Sequence, residues 1–251
     1  MQLTPSYSRV LLFISIAALL TLFTHQMSNH IIQATLPLYE WMLNLLEYRF
    51  DQATIQLANQ HGESILQVNT ILSQPFWVID SNGASQRIAP TEVMGNTASL
   101  AVGNILQPLV IIGTIALAWP VSLKKEVAIL QTSPALTTEA QLHSSHVNIK
   151  TVLVYIYRLL LAFPFTILIM LVDTPVQLLH GSWGGMAAGL QLGENFQITN
   201  IAWFGYWSDF INGGGLIALS IAVGLLVVGV VEYWQASAIN KQQSSRIMQR
   251  P

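Results

Sequence analysis

The sequence predicts a mainly α-helical membrane protein with four transmembrane helices and a small extracytoplasmic β-meander between spans one and two. Three observations carry that expectation. Of 251 residues, 52% are hydrophobic and 9% charged, whereas a soluble domain is about 25% charged. Four stretches approach the roughly 20 apolar residues needed to cross about 30 Å of hydrocarbon. Between them, segments rich in Lys and Arg alternate with segments nearly devoid of both, the signature of a chain threaded through a bilayer.

The composition also excludes functions. A net charge of −2 without a basic stripe argues against a nucleic-acid partner. The absence of Cys excludes a disulfide scaffold, a thiolate metal site and a Cys nucleophile. No phosphate-binding glycine loop, G-x-S-x-G, H-E-x-x-H or long internal repeat occurs. We expect no metal and no cofactor.

The first span runs from Tyr7 to about Thr24 and forms an N-terminal anchor over residues 1–24. Thr24-His-Gln-Met-Ser-Asn lacks the small-x-small pattern of a cleavage site, so an uncleaved anchor is expected rather than a signal peptide. Ile31 to Leu46, interrupted by Gln33, Pro37, Glu40 and Asn44, reads as a separate interfacial helix. Residues 25–99 form the extracytoplasmic segment. Within it, Ala53, Ile55 and Leu57 alternate with polar neighbours, as do Leu66, Val68, Thr70 and Leu72, which predicts strands. Asn82-Gly83 is a hairpin signal. Three or four short strands result, too small a unit to be stable without support.

Residues 100–251 hold the other three spans: Leu100 to Val121, Thr151 to Val172 and Leu216 to Trp234. Lys124, Lys125 and Lys150 flank the loop between spans two and three, and Lys241, Arg246 and Arg250 lie in the tail. The loop from Asp173 to Gly215 has no Lys or Arg. Both termini are therefore expected to be cytoplasmic. Trp119, Tyr233 and Trp234 mark the inner interface, and Trp41, Trp183, Trp203, Tyr206 and Trp207 the outer one.

Several polar residues stand out. Arg158 lies eight residues past Lys150, about 12 Å along a helix, and Glu232 falls within about two turns of the same depth. A structural Arg158–Glu232 ion pair between spans three and four is the favoured reading, ahead of a transport or catalytic role. Asn104 and Gln107, beside Pro108 in span two, are intramembrane amides that seek partners across helices. Gly181, Gly185, Gly189 and Gly193 recur every four residues. On a helix they form one small-residue packing stripe; otherwise they make a loose loop, and the sequence leaves both open. His180, Asp209 and Asn212 form a possible outer-face site for a ligand or partner, while Ser208 or Asp209 could instead cap the fourth span. His143 and His146 read as part of a solvated Ser/Thr-rich cytoplasmic loop.

The expected function is that of a non-catalytic membrane subunit that anchors, scaffolds or regulates a larger envelope complex. Its surroundings are the lipid bilayer and other membrane subunits, in a bacterial inner membrane. The alternatives are a small enzyme at the outer leaflet, using His180 and Asp209, or a channel or carrier subunit using Arg158. In shape the protein resembles accessory membrane proteins of bacterial envelope assembly or surface-protein sorting, which implies an accessory role.

Overall fold

The computed structural model describes residues 5–46, 50–79, 83–88, 94–120, 139–189, 197–198 and 202–248. It is mainly helical, with three helices long and apolar enough to cross a membrane and a small amount of antiparallel sheet. The helices are α1 (Pro5–Leu46), α2 (Val102–Ala118), α3 (Glu139–Gly189), α4 (Ala202–Phe210) and α5 (Leu216–Met248). At 17 residues, α2 reaches about 25 Å, the lower limit for a span.

Two helices run further than the sequence suggested. Helix α1 does not end near Thr24; it continues as one 42-residue helix through Pro37, so no separate interfacial helix exists. Residues 25–30 contain neither Gly nor Pro, and hydroxyls in and after this stretch bond within the helix. The Ser28 hydroxyl donates to the His25 carbonyl at 2.9 Å, and that of Thr35 to the Ile32 carbonyl at 3.0 Å. Such hydroxyl-to-carbonyl bonds let polar residues sit in a helix without ending it. Likewise α3 spans 51 residues, passing through Asp173-Thr-Pro and on to Gly189. The segment holding His143 and His146 is therefore helical, not loop. Lys124, Lys125, Gly193 and Arg250 lie outside the described residues.

The chain divides into two compact units. Unit 1 comprises residues 1–20, 109–166 and 219–251. Its interior holds Ile112, Ala116, Val154, Ala162, Val227 and Val231. Gly224 admits a close approach, since a Cβ there would lie 2.9 Å from Ile115 Cδ1. Facing outward are Val10, Leu11, Leu160, Phe163, Leu225 and Leu226. An apolar exterior of this extent is costly in water and suits lipid.

Unit 2 comprises residues 21–108 and 167–218. Its strands are β1 (Phe50–Gln60), β2 (Glu63–Leu72), β3 (Phe76–Ile79), β4 (Ser85–Ile88), β5 (Met94–Ala101) and β6 (Gln197–Ile198). They form two sheets, ordered β1-β2-β5 and β4-β3-β6, rather than one meander. The β3–β4 hairpin leaves the first sheet, and β5 returns to pair with β2. Local alternation identifies strands but carries no information on which non-adjacent strands pair. The β1–β2 turn places His61 at φ 53° and Gly62 at φ 86°, both left-handed as a tight two-residue hairpin turn requires.

Register aligns Ile55 with Val68 and Val68 with Ala98. Ile55, Leu66, Val68, Thr70, Leu72 and Ala98 are buried along one face. The apolar ones among them join Ile32, Tyr39 and Leu43 of α1, Val102, Ile105 and Leu106 of α2, and Val176, Leu179 and Trp183 of α3 in a single core. The sheet thus obtains the support it lacks alone from helices. Trp183 is a core residue and not a headgroup anchor: it is buried and meets Phe76 edge-on at 5.1 Å. Before α5, residues Ile211–Gly215 form a π-helical turn kinked at Gly214, whose φ is 94°. Ser208 and Asp209 lie inside α4, so neither caps the fourth apolar helix.

Candidate functional site

Arg158 projects from α3 into the interior of unit 1, where its side chain is wholly buried. Nη1 donates to the Trp119 carbonyl at 2.6 Å and the Ala116 carbonyl at 3.4 Å, and Nη2 contacts Glu232 Oε1 at 3.2 Å. The guanidinium carbon lies 5.6 Å from the Tyr155 ring centroid. The carbonyls belong to the C-terminal end of α2, where the last turn lacks amide donors and carries partial negative charge. One arginine therefore caps α2, pairs with α5 and is itself held on α3. The planar fork of five donors makes this geometry available to Arg and not to Lys.

In unit 2 the glycine stripe meets a strand. A Cβ on Gly181 would lie 3.1 Å from Ala98 Cβ, and one on Gly185 would overlap the side-chain amide of Asn96. That amide donates to the Ser182 carbonyl at 2.8 Å. The small residues of α3 thus admit β5, where the sequence pattern pointed to a helix or to a loose loop. Gly189 ends α3.

The other residues singled out from sequence are more dispersed. His180, Asp209 and Asn212 are exposed, and no hydrogen bond or ion pair joins them among the described residues. Asn212 Nδ2 instead donates to Ser208 Oγ at 3.3 Å. Asn104 is exposed and Gln107 half-buried on α2. No group of three metal-ligating side chains occurs among the described residues.

A polar cluster in unit 2 was not legible as a site. Asp173 on α3 is 4% exposed. Its Oδ1 accepts from Trp207 Nε1 at 3.0 Å, and Gln177 Nε2 donates to both carboxylate oxygens at 3.1 and 3.0 Å. Beside it, the Tyr39 phenol of α1 faces the hydroxyls of Thr35 and Thr174. Neither Tyr39 Oη nor Thr174 Oγ1 completes a hydrogen bond, although both are buried. The available signal was an acid flanked by Met170-Leu-Val and Val176 within one long apolar run. The acid is hidden because the uninterrupted apolar run ends at Val172, one residue before it.

The chain matches no protein-family model, no curated protein and no solved structure. Its function is therefore argued from its own residues.

Proposed function

We propose that the protein is a non-catalytic integral membrane subunit that anchors or scaffolds a larger assembly, in a bacterial inner membrane with both termini cytoplasmic. In this reading α2 is a short fourth span beside the three long ones. The observation that carries the proposal is the Arg158 centre. A transport or catalytic charge must remain free to meet its substrate, whereas this guanidinium is committed to two carbonyls and a carboxylate. A buried, hydrogen-bonded charge of that kind fixes helix register.

The sheet offers support for a partner. Among the described residues, β1 pairs with β2 alone, which leaves an 11-residue edge strand. An edge of that length is a template for strand addition by another chain.

The test is extraction in mild detergent, near-native isolation and mass spectrometry of whatever accompanies the protein. A stoichiometric membrane-protein partner is the expected result. A clean monomer or homo-oligomer carrying a small molecule would overturn the subunit reading in favour of an enzyme or carrier.

A further inference from the structure

The Asp173 cluster presents a problem of charge and valence. Trp207 and Gln177 reach its carboxyl group only through N–H donors, so both oxygens accept. Neither partner carries a positive charge, and among the described residues no Lys, Arg or His pairs with Asp173. As an anion it would be compensated only by neutral dipoles, which is expensive, so such a group takes up a proton or gains a cation.

Three hydroxyls neighbour one another beside it, that of Tyr39 facing those of Thr35 and Thr174. Tyr39 Oη and Thr174 Oγ1 are buried without a hydrogen-bond partner. Thr35 Oγ1 directs its proton to the Ile31 and Ile32 carbonyls at 3.1 and 3.0 Å, so its lone pairs face outward from that bond. One carboxylate and three hydroxyl oxygens make a hard, all-oxygen donor set contributed by two helices. Such sets select hard cations, and one negative charge balances a monovalent ion, whereas a divalent ion would leave net positive charge buried.

We propose that Asp173, Thr174, Tyr39 and Thr35 form a binding site for a small monovalent cation of the sodium type. The ion supplies the countercharge Asp173 lacks and accepts the lone pairs of the unpartnered hydroxyls. Trp207, bonded to the same carboxylate, reports its occupancy.

The experiment uses the full-length protein in detergent, with melting temperature and tryptophan emission followed as NaCl replaces choline chloride at constant ionic strength. At ten times the dissociation constant, linkage predicts a rise in Tm of about 3–6 °C for a chain of this size. The rise and an accompanying emission change are expected in the native protein and in Glu63→Gln, at an exposed acid of β2, and are expected to vanish in Asp173→Asn. Thr174→Val, which keeps the side-chain shape, should weaken the response at least tenfold and remains informative if Asp173→Asn does not fold. An equal response in native protein and Thr174→Val overturns the proposal. So does the absence of any difference between sodium and choline, or a stability that follows pH alone, which would make the acid a proton carrier.

Discussion

The side-chain amide of Asn96 on β5 reaches the Ser182 carbonyl on α3 at 2.8 Å, and it does so across the space that the missing Cβ of Gly185 leaves. The glycine and the asparagine act as one device. Gly185 opens the helix surface, and Asn96 fills the opening with a hydrogen bond that ties sheet to helix.

Gly185→Ala is therefore expected to displace that amide and lower unfolding stability by about 1–3 kcal/mol. The double variant Asn96→Ala, Gly185→Ala removes the overlap, so its loss should be smaller than the sum of the single losses. Denaturant titration in detergent measures all three. Strict additivity would mean that the two residues do not share the space.

Arg158→Gln and Glu232→Gln should differ. The first removes the charge and vacates two carbonyls at the end of α2, for an expected loss of about 3–5 kcal/mol. The second keeps an acceptor oxygen, and Glu232 is already 34% exposed, so a loss of about 1–2 kcal/mol is expected. Equal losses would show that the carbonyl contacts contribute nothing. A harmless Arg158→Gln would remove the arginine from any structural role.

The register of β2 can be checked by truncating two residues on opposite faces. Leu66 is fully buried and Ile71 is 39% exposed. Leu66→Ala should cost about 2–5 kcal/mol through the cavity it leaves, and Ile71→Ala should stay within about 1 kcal/mol. The reverse ranking would place the strand one residue out of register.

Gly213 and Gly214 are neighbours with opposite expectations. Gly214 occupies φ 94°, where an L side chain is strained, so Gly214→Ala should destabilise by about 1–2 kcal/mol. A Cβ on Gly213 meets nothing within 4 Å, and Gly213→Ala should be neutral or stabilise by up to about 1 kcal/mol. Thermal unfolding of the two variants decides it. Matching effects would argue against a kink fixed at Gly214.

Much of this was legible locally. Long apolar runs and scarce charge point to a membrane protein because hydrocarbon excludes charge whatever the fold. The alternation of Ile55 and Leu57, and of Leu66, Val68 and Thr70, is a two-residue period that only a strand can turn into one buried face. Between these runs Asn59-Gln-His-Gly-Glu is rich in turn residues, and the His61-Gly62 reversal falls there. Helix ends were less legible. Polar residues at 25–30 and Asp173 resemble boundaries, but intrahelical hydroxyl bonds and Gln177, one turn on, keep the helices going.

By itself, then, the sequence determined the apolar helices and the strands, since each depends on residues close together in the chain. Only tertiary structure decided that Arg158 reaches the end of α2 as well as Glu232, that β5 rather than β3 joins β2, and that the glycine stripe receives a strand. It also decided that Tyr39 and Asp173, 134 positions apart, lie in one buried polar cluster. These are contacts between distant segments, and no periodicity within either segment encodes its partner.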